Sequence, residues 1–368
     1  MHVGMGTFFQ NLGQEHSDAE VYRHGLAMAD SAEGLGFDSV WSAEHHFTDY
    51  HMCPNVAQFL TWVAARTQRV LLGSMVIVLP WHDPVRVAEE ICVLDHMSGG
   101  RVILGLGRGL GRVEFTGFRS EMGESRRRFT EHADAILSGL ESGTMAYDGE
   151  LYRQPPVALR PAPFASFRGR VYASAISPES ALIMARLGVG IMVIAQKPWE
   201  TTEAEVASYR ELFRELHGVE PPKPILVTWV AVDESRDRAE EMFERYVNGY
   251  AASTLVHYEF ANAGLADIPG YEYYGKLAER IARHGPETFA RFLAELQVWG
   301  TPDEVTEQLR ENVRRLDAAG VVGIFSYGGM PHDRARDNMD LFARRVLPTL
   351  SGIDTGAGLS GAAAVATR

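Results

Sequence analysis

The sequence predicts a (β/α)8 TIM barrel with an insertion between strands 7 and 8, and three observations carry this. Short apolar, β-branched runs alternate with helix-periodic stretches along most of the 368 residues. Eight strand-and-helix units can be read, over more than the roughly 250 residues such a fold needs. No internal repeat or interdomain linker interrupts them, so residues 1–350 read as one domain and the Gly/Ala-rich stretch 351–368 as a disordered tail.

Val3–Phe9 reads as a buried first strand. Asp18 can cap a helix from Ala19 to about Glu33, which Gly34-Leu35-Gly36 stops. Strand 2, Asp38–Trp41, runs out into Glu44-His45-His46, and a second helix covers about Asn55–Thr67. The apolar run Val70–Leu79 is β-branched and flanked by Pro80, which favours one long strand 3. Pro84 suits the first turn of a third helix, through Asp95. Strand 4 is Arg101–Gly107, and helix 4 runs from near Glu124 to near Gly143. The proline-rich stretch Tyr147–Pro163 is an excursion. Strand 5 (Arg170–Ala175), a short helix (Pro178–Leu187), strand 6 (Gly190–Ala195) and a helix (Glu203–His217) follow. Strand 7 is Ile225–Val232, with a helix from Asp237 to about Tyr250. Ser253–Trp299 has no clear strand and is too long for a loop, so it is the insertion, with helices of its own. Thr301-Pro302-Asp303-Glu304 has the chemistry of a helix start. Strand 8 is Val321–Tyr327, and a last helix ends near Leu347.

The net charge of -13 argues against nucleic acid, which needs a basic face. Cys53 and Cys92 lie far apart and form no redox or metal pattern, which suits a reducing compartment. No basic-then-apolar leader and no bilayer-length apolar run is present, so a cytoplasmic protein without a membrane partner is expected.

In such a barrel the chemistry sits at the C-terminal ends of the strands. His45, Met75-Val76, Gly107-Arg108, Ala175–Ser177, Ile194-Ala195 and Phe325–Tyr327 would then line one mouth. It is mostly apolar, which suits a flat cofactor with an anionic tail. Glu44-His45-His46 is open to three readings: a hydrogen-bonded corner, metal ligands, or a general base. Adjacent strand-end residues point apart, so no shared metal is expected for His45 and His46. Gly105-Leu-Gly107-Arg108-Gly109-Leu-Gly111 resembles a dinucleotide fingerprint, but no helix is expected to start at once after it. It is either a flexible turn or a place where a ligand approaches the backbone while Arg108 meets a phosphate. Ser125-Arg126-Arg127-Arg128 at a helix start is a solvated basic face or a phosphate hold. Ser177-Pro178-Glu179-Ser180 is a cap or a second phosphate contact.

Trp41-x-x-Glu44-His45-His46-Phe47-Thr48, Ile77-Val78-Leu79-Pro80, Asp83-Pro84-Val85-Arg86-x-Ala88-Glu89, Leu94-Asp95-x-Met97-Ser98-x-Gly100-Arg101 and Gly105-x-x-Arg108-Gly109 resemble the bacterial luciferase-like flavin monooxygenases, in the order and spacing of the luciferase α subunit. The resemblance implies a barrel that holds reduced FMN and reacts with O2 through a flavin hydroperoxide. One oxygen atom would enter a small organic substrate, by hydroxylation or Baeyer–Villiger insertion. His45 matches the family's catalytic histidine, as acid and base. Met75-Val76 stands where the family has a non-prolyl cis peptide beside the flavin. Arg108, Arg126, Ser177 and Ser180 match phosphate contacts, while Glu44, Gly107 and Ala175 fall at the flavin pocket. Gly107 replaces a reactive cysteine of the luciferase α chain, and Gly270-Tyr271-Glu272-Tyr273-Tyr274 replaces its mobile-loop sequence, which implies a different substrate pocket. With no NAD(P)H fingerprint, a separate flavin reductase is expected to supply FMNH2. A homodimer is expected, with Ala88, Ile91 and Leu94 of the Asp83–Asp95 helix facing the partner. Two other readings stand beside this one: an F420- or NAD(P)H-linked oxidoreductase on the same barrel, and a non-catalytic flavin-binding partner subunit.

Overall fold

Eight parallel strands close on themselves in the computed structural model, which describes residues 1–174, 178–356 and 358–361. They are β1 (His2–Thr7), β2 (Ser39–Ser42), β3 (Leu71–Ser74), β4 (Val102–Gly107), β5 (Val171–Ser174), β6 (Gly190–Ile194), β7 (Ile225–Val232) and β8 (Gly320–Ile324). Each pairs with its neighbour in sequence, and β8 closes the ring on β1 from His2↔Gly320 to Gly6↔Ile324. Helices cover the outside, so the strands are buried on both faces and read as continuous apolar runs. β7 is buried at every position.

Trp41 fixes the place of β2. Its indole is fully buried and lies across glycines of both neighbouring strands. A Cβ at Gly73 of β3 would come within 2.0 Å of the ring, and one at Gly4 of β1 within 2.8 Å. At the opposite end of the barrel from the mouth, Arg170 and Asp95 form a fully buried bidentate pair at 3.0 and 2.9 Å, with the guanidinium over the Phe167 ring. Such a pair is costly to break on one side.

The main helices are α1 (Asp18–Leu35), α2 (Val56–Ala64), α3 (Pro84–Ser98), α4 (Arg112–Phe118), α5 (Ser125–Ser142), α6 (Pro178–Leu187), α7 (Trp199–His217), α8 (Arg236–Met242), α9 (Asn248–His257), α10 (Glu272–His284), α11 (Pro286–Glu295), α12 (Pro302–Leu316) and α13 (His332–Arg345). Thr301 and Glu304 form the expected capping box, with Pro302 in the first turn. α1 is capped by Ser17, whose hydroxyl accepts from the Glu20 N–H, rather than by Asp18.

Several expectations are corrected. The long strand 3 breaks after Ser74 at a cis Met75–Val76 peptide; Ile77-Val78 then pairs with the end of β4, and Leu79–Trp81 turns as a 3-10 helix. The excursion contains an antiparallel hairpin, Thr144–Asp148 with Arg153–Ala158. The insertion carries α10 and α11 but also ends in a short strand, Val298–Gly300, on β7. α4 starts directly after Gly111, where no helix was expected. Ala88, Ile91 and Leu94 are at most 1% exposed within the single chain, so they belong to the barrel core and cannot face a partner; α3 shows Val93 and Met97 outward instead. Disorder from Ser351 onward does not hold for the first residues: Ser351 is helical, and Thr355 donates to the Ala319 carbonyl at 3.1 Å and accepts from Lys223. Among the described residues, no helix is long and apolar enough to cross a membrane.

Candidate active site

The chain leaves β2 at the C-terminal mouth, and His45 and His46 go separate ways. His45 Nδ1 is 2.9 Å from Glu114 Oε1, and its Nε2 is 3.2 Å from the Tyr258 hydroxyl. A carboxylate oxygen accepts, so the His45 proton sits on Nδ1 and Nε2 accepts from Tyr258. His257 Nε2 approaches the same Nδ1 at 3.1 Å, while its Nδ1 meets Thr48 Oγ1 at 3.0 Å. Burial, then the charges of His45 and His51, push the pKa of His257 down to about 2, so its ring is neutral. That ring stacks on Tyr50 at 4.3 Å. His51 closes the network from below: its Nδ1 accepts from the Phe9 N–H at 2.8 Å and its Nε2 donates to the Ala43 carbonyl at 3.0 Å. Burial holds His51 well below the usual imidazole range.

His46 turns to the other side, where its Nε2 lies 2.9 Å from Glu44 Oε1. Glu44 is buried and takes three more donors: Trp81 Nε1 at 2.7 Å, His82 Nε2 at 2.8 Å and the Val78 N–H at 2.9 Å. Burial opposes its ionisation, but hydrogen bonds from His46 and His82 outweigh it and hold the carboxyl down at about 2. Glu44 borders the cleft, yet its oxygens are engaged within the protein. It anchors the segment after β3.

A cleft of about 840 Å³, open space at its mouth included, runs from His45 and Tyr258 to Arg108 and Arg126. Met75, Val76, Val78, Leu110, Ile183 and Ile194 give it an apolar wall. At the far end Arg108 donates to the Gly270 carbonyl at 2.7 Å and Arg126 to the same oxygen at 3.2 Å. Arg108 also lies 4.2 Å over the Tyr271 ring, whose hydroxyl donates to the Gly109 carbonyl and meets Ser125 Oγ at 2.9 Å. Two guanidinium groups converging on one oxygen form a focus sized for an anion. Glu179, 3.7 Å from Arg126, moderates its charge. Past the Met75–Val76 segment lies a second, inner chamber, about 520 Å³ with its open space included, lined by Phe8, Tyr50, Val227, Trp229 and Ile324. His45 and Tyr258 border both spaces.

Of the residues expected at the mouth or around the cofactor, Glu44, His45, Met75, Val76, Gly107, Arg108, Arg126, Ser180 and Ile194 line the outer cleft, whereas Ala195 and Phe325 are buried in the core and Ser326 and Tyr327 border a separate pocket. Ala175 and Ser177 lie outside the described residues. The glycines of β4 serve packing first. A Cβ at Gly105 would come within 1.8 Å of the Ser74 carbonyl, and one at Gly107 within 2.1 Å of Val76. Glu114, His257, Tyr258 and Tyr271 are the residues that sequence reading missed. Their position after strands 4 and 7 of a barrel was the available signal.

Residues 1–319 match the family described as luciferase-like monooxygenase. The alkanal monooxygenase alpha chain of Photobacterium leiognathi is 27% identical over 357 residues, 93% of this chain and 96% of that protein. Among solved structures, the monooxygenase RslO1 from Streptomyces bottropensis superposes with a TM-score of 0.77 at 25% identity, covering 95% of this chain and 99% of the other. The oxygenating constituent of 3,6-diketocamphane monooxygenase from Pseudomonas putida, in complex with FMN, gives a TM-score of 0.72 at 16% identity over 95% and 98% of the two chains, a likeness of fold. A match that runs unbroken through seven of the eight barrel strands leaves one placement: the chain belongs to the luciferase-like monooxygenases and is a flavin-dependent enzyme of that family.

Proposed function

We propose that this enzyme is an FMNH2-dependent, two-component monooxygenase that puts one oxygen atom of O2 into a small organic substrate. The observation that carries the reading is a single cleft with paired arginines at one end and the His45–Tyr258 pair at the other, opening on an apolar inner chamber. Reduced FMN, when bound, supplies the electrons that activate O2. Arg108 and Arg126 would hold its phosphate, with Ser180, and by resemblance Ser177, beside it. Met75, Val76, Ile183 and Ile194 would receive its flat ring and keep water from it. His45 takes or returns a proton at Nε2, which meets the Tyr258 hydroxyl, and both side chains border the two spaces. The inner chamber receives the substrate.

A separate reductase supplies the reduced flavin, and a homodimer forms through the outward face of α3, where Val93 and Met97 are exposed. Light scattering that reports a monomer across micromolar concentrations counts against the dimer. The test of function is binding of FMN and F420 side by side, then turnover under 18O2 with a flavin reductase, NADH and a panel of aldehydes, ketones and aromatics. FMN binding with one labelled oxygen in a product supports the reading. Binding of F420 and not FMN, with hydride transfer and no labelled product, overturns it.

A further inference from the structure

We propose that His45, Glu114 and His257 form a binding site for one divalent transition metal of the zinc class. The site shares His45 with the function proposed above but needs no flavin to form. Three potential ligand atoms converge on one point: His45 Nδ1 to Glu114 Oε1 is 2.9 Å, His45 Nδ1 to His257 Nε2 is 3.1 Å, and Glu114 Oε1 to His257 Nε2 is 3.8 Å. Metal–ligand bonds of about 2.0–2.2 Å in tetrahedral geometry put ligand atoms roughly 3.3–3.6 Å apart. The three spacings bracket that value, so a few tenths of an ångström of adjustment completes the set.

The protonation pattern makes the point sharper. Glu114 Oε1 and His257 Nε2 both face the single hydrogen on His45 Nδ1. If that hydrogen moves to Nε2, where it donates to the Tyr258 hydroxyl, three lone pairs converge on one position. A metal ion takes the vacated place, and the neutral His45 ring keeps its one proton.

Each ligand is also oriented from behind, as metal ligands are. Thr48 Oγ1 meets His257 Nδ1 at 3.0 Å, Tyr258 OH meets His45 Nε2 at 3.2 Å, and the His46 N–H donates to Glu114 Oε1 at 2.9 Å. Space is kept open by Gly111. A Cβ there would come within 2.8 Å of Glu114 Oε2 and 3.3 Å of His257 Nε2. His45 and Glu114 border the outer cleft, which gives the ion a route and room for a water ligand. Two imidazoles and one carboxylate suit Zn2+, Cu2+, Ni2+ or Co2+; Mg2+ and Ca2+, which take oxygen shells, are disfavoured. Occupancy ties the His45 ring through Nδ1 and leaves its hydrogen on Nε2, so with a metal bound that nitrogen can no longer accept a proton.

The test uses untagged, metal-free full-length protein titrated with Zn2+ against a colorimetric chelator. One Zn2+ per chain is expected, with no competition from millimolar Mg2+, and affinity weakened about 10-fold or more in Glu114→Gln and in His257→Gln. No saturable binding, or equal affinity in wild type and both folded variants, overturns the proposal. Should the variants fail to fold, Co2+ added to wild type decides. Intense visible bands of a four- or five-coordinate ion support the site, and the weak spectrum of a six-coordinate aqua ion overturns it. No flavin enters these readouts, so their failure leaves the monooxygenase reading standing, and the reverse.

Discussion

Two buried carboxylates flank the mouth, Glu44 and Glu114, and adjacent histidines are divided between them. Glu44 accepts from four groups, all supplied by the polypeptide, and is held as a fixed anion. Glu114 accepts from the His46 N–H and His45 Nδ1 through one oxygen, and shares the His45 proton with His257. A carboxylate whose acceptor sites are filled by fixed donors holds a structure. One that shares a single mobile proton with two imidazoles can take part in chemistry. Burial is nearly the same for the two, 3% and 1% exposed, so satisfaction rather than depth separates them.

The comparison is broken most directly at the histidines. His45→Ala should keep the fold and most FMN affinity but lower product formation by about 10²–10⁴-fold, the usual worth of a positioned acid–base group. Hydrogen peroxide should be released in place of product, and His46→Ala should do less to turnover. Equal coupling in wild type and folded His45→Ala would remove the imidazole from the mechanism. At the carboxylates the contrast turns to stability. Glu44→Ala strands Trp81, His82, His46 and the Val78 N–H, and should lose about 3–5 kcal/mol in urea unfolding. Glu114→Gln should lose clearly less stability and more activity. If the two variants lose stability equally, the distinction between anchored and shared carboxylates fails.

At the other end of the cleft, Arg108→Ala should weaken FMN binding by about 1.5–3 kcal/mol beyond its effect on riboflavin. Equal weakening would assign Arg108 to packing. The smallest effect is in acid. His257 has its pKa lowered from 6.5 to about 2 by burial and by the charges of His45 and His51. The unfolded chain therefore binds the proton first as pH falls. The contribution of neutral His257 is complete above about pH 6.5 and is lost on the way down to about 2, at roughly 1.4 kcal/mol per pH unit. His257→Gln should accordingly lose stability less steeply than wild type between pH 6.5 and 4.5. Parallel stability curves would show that His257 titrates normally when folded.

The barrel was legible because each strand is a continuous apolar run with a helix-periodic stretch behind it. Strand 3 was read too long because Val76–Leu79 continues the apolar pattern through a change of backbone direction that hydropathy does not register. His45, Arg108 and Arg126 were found because a strand end and a helix start announce where side chains emerge. Glu114 was hidden by the glycine run: α4 is short, starts after Gly111, and has no capping side chain. His257 and Tyr258 reach His45 from 212 and 213 residues away, through the insertion, and no local pattern encodes that contact. The β4 glycines were legible as a signal but not as a cause, since only the structure sets Gly105 against the Ser74 carbonyl.

The indole of Trp41 between Gly4 and Gly73 has a reach beyond its own packing. Side chains along a strand alternate in direction, so a slip of one residue would exchange the outlooks of neighbours. His45 lies four positions past Trp41 and His46 five, so the reactive imidazole is addressed by counting from the ring. A wedge seated over glycines on both flanking strands resists such a slip in either direction. Loops at the mouth can then change length and composition without moving the imidazole from its address. Gly73→Ala, whose added Cβ would come within 2.0 Å of the ring, would act as a frameshift in space, with every residue present and the chemistry misread.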